Sequence, residues 1–260
     1  MPLYLYLDRR SFVHRFHPVV KVLSMFLLFV AIFVLDHPLF LLPLAAGITT
    51  LILLSDSLTN VHRLRILFFF ISVFTLLIWS LFYRQGTPLF SFGWLHPTGE
   101  GVLFGLGMAV KLSTFLATGT LFLSTTRVEE FAFALTSLGV PYRLGFTMTL
   151  AFRLVPLFLD AALTVLQAQR CRGLDVHGGG VIERLRRYIP VLIPVFMGAL
   201  RRAEQMAIAL EVRGFGSGRR RTSYLRTPWR PGDTLALFVV GALMLGYLFL
   251  WQQGYGRIST

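Results

Sequence analysis

Five long apolar stretches constrain the fold of this chain more than any other feature. They lie at roughly 19–35, 38–54, 66–83, 101–123 and 234–251. An α-helix needs about 20 mostly apolar residues to cross the hydrocarbon core of a bilayer. Hydrophobic residues make up 55% of the 260 residues and charged residues only 14%, whereas a soluble domain carries about 25% charged residues. The sequence therefore predicts an all-α membrane protein with about five transmembrane helices.

The first two stretches are slightly short for a span. Lys21 lies near the start of the first one. A lysine in such a place can extend its ammonium group to the aqueous interface while its methylene groups stay in apolar surroundings. We expect Lys21 to snorkel in this way, which would relax the length requirement.

The placement of the basic residues predicts the orientation. The formal net charge is +13, and almost all arginines lie in the N-terminal segment, in the 55–65 loop and in the 125–230 region. Loops on the cytoplasmic side of a membrane are enriched in Lys and Arg. We therefore expect a multi-pass protein with a cytoplasmic N-terminus and an external C-terminal tail. The charge forms no separate soluble module, so it indicates contact with the lipid bilayer and no nucleic-acid partner.

Polarity divides the chain into three predicted regions. The first is an N-terminal membrane domain with four spans, at 1–124. The second is a cytoplasmic coupling region of long crossing helices, at 125–231. The third contains the final transmembrane helix and an external tail, at 232–260.

The middle region is predicted to contain three helices, at 127–138, 142–172 and 181–213. We expect the hydroxyl residues at 124–126 to cap the first helix, because their side chains can accept a bond from a free backbone N–H. Proline lacks that N–H and disturbs a helix. Pro156 is therefore expected to bend the second helix, and Pro190 and Pro194 to interrupt the third.

Each of the two long helices in this region ends in an arginine followed by a glycine. The pairs are Arg172-Gly173 and Arg213-Gly214. Glycine adopts the left-handed conformation that closes a helix, and a cation suits the negative end of the helix dipole. Capping alone explains either pair. Two matched pairs favour docking into an acidic groove of a cytoplasmic partner, because the arginine fork binds carboxylates bidentately.

Small residues follow the same helices at helical spacing. They are Ala161 and Ala168 on the first long helix and Ala199, Ala203 and Ala207 on the second. Small side chains let two helices approach closely, so these alanines are predicted to line a packing surface. Gly101 and Gly105 are predicted to do the same in the fourth span.

Four further residues are candidates for a structural or coupling role. Lys111 falls within the fourth span, where a charge is costly and therefore a functional candidate, although pairing inside the bundle explains it as well. Glu100 and Asp160 are its candidate partners. Arg153 and Pro156 have the same spacing as the pair that ends at Pro190, and this weak internal echo makes Arg153, Pro156 and Pro190 candidates too.

The chain shows no catalytic or cofactor-binding pattern. Gly105 and Gly107 precede Lys111, but a phosphate-binding loop needs a glycine directly before its lysine, and Val110 stands there. The histidines, acids and single cysteine have no metal-ligand spacing. We therefore expect no catalytic residue, no metal and no cofactor bound by this chain, so any ATP must be used by a partner.

Several motifs in chain order resemble the T component of energy-coupling factor (ECF) transporters, the scaffold of vitamin and transition-metal uptake systems. The matching segments are 13–21, 123–126 with 129–130 and 134–135, 152–156, 201–204 and 209–211. That family carries Ala-Arg-Gly at the ends of its two coupling helices. Here the alanines are replaced by Cys171 and Val212, while the arginines and glycines are kept.

The resemblance implies a non-catalytic subunit of an ATP-driven importer in a bacterial inner membrane. Its implied partners are two ABC-type ATPase subunits, which would hold ATP and Mg²⁺, and a substrate-binding membrane S component. Arg172 and Arg213 would engage the ATPases. Three alternatives stay open: a self-contained secondary transporter or channel that uses Lys111, Arg153 and Asp160 as a charge path, a membrane-bound enzyme, and a conventional ATP-binding-cassette permease.

Overall fold

The computed structural model describes residues 9, 11–34, 37–83, 98–174, 180–217 and 228–253, except for the side chains at 181, 182, 184 and 185. In this part of the chain the regular structure is helical, as predicted. After a short 3₁₀ turn (Val13–Arg15) come α1 (Pro18–Val34), α2 (Pro38–Leu54), α3 (Leu58–Arg63), α4 (Arg65–Phe82), α5 (Gly99–Thr125), α6 (Val128–Ser137), α7 (Tyr142–Cys171), α8 (Val181–Val212) and α9 (Pro231–Gln252).

The five predicted apolar stretches correspond to α1, α2, α4, α5 and α9. By length and composition, α4, α5, α7 and α9 can cross a membrane, while α1 and α2 are apolar but have only 17 residues each. These findings support a multi-pass membrane protein. Helix α7 lies in the region predicted to be cytoplasmic, so length and composition alone do not separate coupling helices from spans.

The chain forms two compact units. We name residues 1–140 with 227–260 the bundle unit, and residues 141–226 the helix-pair unit. In the bundle unit α1, α2 and α4 all pack against α5, and α1 also packs against α6 and α9. The core of this unit contains side chains from three of these helices: Leu28, Ala31, Ile32, Leu41, Leu44, Ile48, Ile52 and Leu121.

The crossing of α4 and α5 depends on glycine, as the sequence predicted. A Cβ atom added to Gly105 would lie 3.0 Å from the carbonyl oxygen of Leu76 on α4. Such a contact is tighter than an ordinary carbon–oxygen approach, so the two backbones meet where no side chain separates them. A hydrogen bond of 2.8 Å between the hydroxyls of Ser72 and Ser113 also joins the two helices.

The predicted cap of α6 is wrong. Ser124 and Thr125 belong to the last turn of α5, and Thr126 is its C-cap. Helix α6 starts after Arg127, whose side chain makes no capping bond. The reason is the direction of the hydroxyl bonds: Ser124 and Thr125 donate backward to carbonyls of α5, at 2.6 and 2.8 Å, as hydroxyls inside helices commonly do.

The helix-pair unit contains α7 and α8, which pack against each other in antiparallel directions. At one end the rings of Tyr142 and Phe146 pack on Phe215, with centroids 6.4 and 4.6 Å apart. At the other end Gln169 Nε2 donates to the Pro190 carbonyl at 3.3 Å. The end of α8 therefore lies beside the start of α7, while the end of α7 lies beside Pro190, the tenth residue of α8.

The predicted interruption of this second long helix is also wrong, because α8 continues through Pro190 and Pro194. These prolines are four residues apart and therefore lie on one face of the helix. The missing N–H groups are confined to that face, while the other turns of the helix persist. Pro156 likewise lies inside the continuous helix α7, and the bend expected there stays a prediction.

Candidate coupling site

The end of α7 is a complete glycine cap. Arg172 is the C-cap residue, with φ −87° and ψ 9°, and Gly173 follows in the left-handed region with φ +87°. The backbone N–H of Gly173 donates to the Arg170 carbonyl at 2.9 Å, and that of Leu174 donates to the Gln169 carbonyl at 3.0 Å. These two bonds define a Schellman motif.

The end of α8 repeats the same arrangement. Arg213 is the C-cap residue and Gly214 has φ +70°. Gly214 N–H donates to the Glu211 carbonyl at 2.8 Å, and Phe215 N–H donates to the Leu210 carbonyl at 2.9 Å. The sequence therefore places the two arginines in one backbone geometry, which fixes where each side chain leaves its helix.

A third cap shows what this geometry requires. Helix α6 ends at Leu138, followed by Gly139 with φ +107°. The equivalent bonds run from Gly139 to Thr136 and from Val140 to Leu135, at 3.3 and 3.1 Å. Leucine therefore serves at the same position of the same motif. The cap needs the glycine but no cation, so the backbone motif alone does not require an arginine at position 172 or 213.

Both arginine side chains are exposed, and within the described residues neither has an ion pair or a side-chain hydrogen bond. Because α7 and α8 are antiparallel, the two tips lie at opposite ends of the pair. The part of α8 from Pro190 to Arg213 is roughly 35 Å long at 1.5 Å per residue, which approximates the distance between the tips. The residues beside the arginines, Cys171 and Val212, are exposed as well, Val212 to 84%.

The predicted alanine surface is only partly covered within its own unit. Ala161 and Ala199 are half-buried, whereas Ala168, Ala203 and Ala207 are exposed. Helix α8 also exposes large apolar side chains: Leu192, Ile193, Phe196 and Ile208. The unit therefore presents apolar and small-residue surface beyond what the contact between α7 and α8 uses.

The other predicted candidates are divided between the two units. Arg153 and Asp160 are exposed on α7, Pro156 is half-buried there, and Pro190 is exposed. Lys111 lies in the bundle unit, where its Nζ donates to the Phe33 carbonyl at 2.8 Å and lies 5.1 Å from the centroid of the Phe33 ring. This carbonyl is near the C-terminus of α1, an end that favours a cation, so Lys111 makes the pairing inside the bundle that was one of its two interpretations.

The sequence analysis missed a buried polar cluster at the start of α1. The expectation that Lys21 snorkels is wrong, because its side chain is only 5% exposed. Lys21 Nζ donates to the carbonyls of His14 and Thr125, at 3.0 and 2.9 Å, and to Glu130 Oε2 at 3.2 Å. A buried lysine needs such partners, because an unpaired buried charge is very costly. In the sequence, the position of Lys21 at the start of an apolar run and the resemblance of segment 13–21 to a known motif mark this place, but neither predicts the buried contacts.

A buried acid, Asp233, lies in the same cluster. Asp233, 1% exposed, accepts from the backbone N–H of His17 and that of Arg230, both at 2.8 Å. The His17 ring lies 5.1 Å from the Trp229 ring and 6.1 Å from the Phe133 ring, measured between centroids. The segment from His14 to Lys21 therefore contacts α5, α6 and the start of α9. Among the described residues, no group of three or more His, Cys, Asp or Glu side chains is placed to hold a metal ion.

Comparisons with known proteins agree on one family. Residues 9–224 match the family model CbiQ, described as cobalt transport protein. The chain is 31% identical to the energy-coupling factor transporter transmembrane protein EcfT of Macrococcus caseolyticus over 253 residues, covering 93% of this chain and 94% of the relative. It is 33% identical to EcfT of Thermanaerovibrio acidaminovorans over 254 residues, covering 94% of each.

Proposed function

The chain belongs to the transmembrane-component family of energy-coupling factor transporters, and on that premise we propose that it couples ATP hydrolysis by two partner ATPase subunits to the movement of a separate substrate-binding membrane subunit. Arg172 and Arg213 dock into the ATPases. The observation that carries this proposal is the pair of exposed arginines in identical glycine caps, when a third cap of the same kind has leucine at that place.

The distance between the tips supports one ATPase subunit for each arginine. A separation of roughly 35 Å is the size of a small domain, so one acidic groove cannot take both guanidinium groups. Each tip offers a planar fork that binds a carboxylate bidentately, next to an exposed Cys171 or Val212. In this proposal ATP and Mg²⁺ stay on the partner ATPases, and closure of the ATPase pair moves the two helix ends.

The substrate-binding subunit is proposed to pack on the small-residue surface of α7 and α8. Ala168, Ala203 and Ala207 are exposed, and small residues permit close contact with a helix of another subunit. The cargo, a vitamin or a transition-metal ion, is bound by that subunit. We place the protein in the bacterial inner membrane with its N-terminus in the cytoplasm, because the arginine-rich segments and both tips then face the same compartment as the ATPases.

The docking role is tested with the double variant Arg172→Glu/Arg213→Glu. Reversing both charges replaces attraction to an acidic groove with repulsion, so the ATPases should no longer co-purify with the chain, although the variant still accumulates in the membrane. The measurement is the amount of ATPase recovered with the tagged chain from detergent-solubilised membranes.

The matched control is Arg143→Glu/Arg170→Glu. It makes the same change in net charge at the same two ends of the helix pair, because Arg143 lies in the first turn of α7 and Arg170 in its last turn, and both are exposed. The control should retain ATPase binding. Wild-type recovery of ATPase with the Arg172/Arg213 variant would overturn the docking role, and ATPase-independent flux through the purified chain in liposomes would favour the self-contained transporter.

A further inference from the structure

We propose that the segment from His14 to Lys21 is a coupling element that holds both places where the chain passes between its two units. We name it the N-terminal clamp. The inference rests on the proposed function, because it concerns how a movement of α7 and α8 reaches α1, α5 and α9. Lys21 and His17 act as positioning residues in this role.

The chain passes between the units only twice. It leaves the bundle unit after Val140 and returns to it at Thr227. Helix α6 leads directly into the first crossing, and residues 228–230 connect the second crossing to α9. Along the chain, a displacement of the helix-pair unit can reach the bundle only through these two connections. In this proposal, the attachment of α6 and of residues 228–233 to the bundle decides how much of that displacement is transmitted.

Lys21 attaches the first crossing. Its ammonium group binds the carboxylate of Glu130 in the first turn of α6, the Thr125 carbonyl at the end of α5 and the His14 carbonyl. One buried side chain therefore joins the helix before the crossing, the helix that begins it and the N-terminal segment. Three charge-assisted bonds from a single ammonium group fix both distance and direction.

His17 attaches the second crossing. Its backbone N–H donates to Asp233 in the first turn of α9, and the other oxygen of that carboxylate accepts from Arg230 N–H. The His17 ring packs against Trp229 just before α9. The same ring also approaches Phe133 of α6, so this one residue contacts the chain on both sides of the excursion into the helix-pair unit.

A role in stability alone does not account for this choice of residues. Helix α1 already packs on α5, α6 and α9, and a buried ion pair is often no more stabilising than apolar residues of the same volume. What the polar contacts add is direction, since hydrogen bonds weaken steeply when their geometry changes. The clamp therefore fixes the orientation of α6 and of residues 228–233 relative to α1.

The test uses hydrogen–deuterium exchange of the complete complex with its ATPases and substrate-binding subunit in lipid nanodiscs, with and without ATP. In the wild-type complex, ATP should change exchange in α7 and α8 and also in α6 and α9. In Lys21→Met, ATP hydrolysis and the changes in α7 and α8 should persist, while the ATP-dependent changes in α6 and α9 fall at least about fivefold, a typical strength of coupling between two sites. A purely structural role would alter exchange equally with and without ATP.

The control is Arg9→Met, which removes one cation from the exposed ion pair between Arg9 and Asp56 in the same unit and should leave the ATP-dependent changes intact. If Lys21→Met does not accumulate, the same exchange measurement is made on Glu130→Gln, which keeps the size of the side chain but removes its charge. Undiminished changes in α6 and α9 in the clamp variants, or their absence in the wild type, would overturn the inference. Failure of the proposed function has a different signature, namely no response of α7 and α8 to ATP even in the wild type.

Discussion

The bundle unit and the helix-pair unit differ in how they bury apolar side chains. Among the described residues, thirteen of the fourteen buried hydrophobic side chains belong to the bundle unit, and only Val191 belongs to the helix-pair unit. The bundle unit surrounds α5 with packed helices, whereas α7 and α8 mainly contact each other within their unit. The bundle is therefore held by its own contacts, and the helix pair leaves apolar surface and charge exposed.

The polar contacts follow the same division. The bundle unit contains the buried acceptors and donors around Lys21 and Asp233, while the Arg187–Glu183 ion pair of the helix-pair unit, at 2.7 Å, joins side chains that are 31% and 59% exposed and lie one turn apart on α8. Surface pairs of that kind contribute about 1 kcal/mol or less. The difference indicates that mutations should act on stability in one unit and on partner binding in the other.

The largest loss of stability is expected from Lys21→Met. This change leaves the carboxylate of Glu130, which is 30% exposed, without its cation, and two backbone carbonyls without their donor. Breaking a fully buried pair costs about 3–5 kcal/mol, and the partial exposure of Glu130 places the expected loss at the lower end of that range. The bundle should unfold at a clearly lower temperature in a thermal scan of the detergent-solubilised protein. Arg9→Met should cost about 1 kcal/mol or less, and equal effects of the two changes would contradict the idea that the cluster holds the bundle together.

A smaller loss of stability is expected from Gly105→Val. It tests whether the bundle unit depends on the close crossing of α4 and α5. The new side chain would press against the Leu76 carbonyl, and overpacking of this kind costs about 1–3 kcal/mol. The control is Gly119→Val on the same helix, because a Cβ there meets no atom within 4 Å. A denaturant titration gives the free energy of unfolding of each variant. An unchanged free energy of unfolding in Gly105→Val would show that the helices do not need this close approach.

The smallest effect on stability is expected from Ala203→Leu in the helix-pair unit. Ala203 is exposed, so the change should alter the free energy of unfolding by no more than about 0.5 kcal/mol. The larger side chain should nevertheless reduce recovery of the substrate-binding subunit, because it separates two closely packed helices. Ala209→Leu, exposed on another face of α8, should retain that subunit. Equal recovery of the substrate-binding subunit with both variants would contradict the proposal that this subunit packs on the alanine surface.

The sequence predicted most of the helices because their signals are local. Apolar runs and the glycines after Arg172 and Arg213 mark helices and their ends without reference to distant residues. The Lys21 cluster could not be predicted in this way, since its partners Thr125 and Glu130 are 104 and 109 positions away along the chain. The same residue type at the start of an apolar run suits snorkelling or burial, and only the tertiary contacts decide between them.

The two errors in the predicted helices have local causes that a propensity rule does not resolve. Hydroxyl residues between two helices can cap the second or bond backward to the first, and Ser124 and Thr125 do the latter. Prolines one turn apart can interrupt a helix or share one face of it, and Pro190 and Pro194 do the latter. For the candidate coupling site, the sequence predicted that Arg172 and Arg213 end two helices with a glycine after each, and the structure confirms this placement. The equivalence of the two caps and their opposite ends required the structure, and the role of the arginines stays a prediction.

The most direct test of the docking claim uses Cys171, the single cysteine of the chain, which is exposed beside Arg172. The measurement is the rate of its alkylation by a membrane-impermeant maleimide in inside-out vesicles, with and without the bound ATPases. Cys171→Ala/Val212→Cys gives the same measurement at the other tip. The account predicts rapid alkylation of both tips in the chain alone and at least about tenfold protection when the ATPases are bound, since contact excludes the reagent. Equal alkylation rates with and without the ATPases would contradict it.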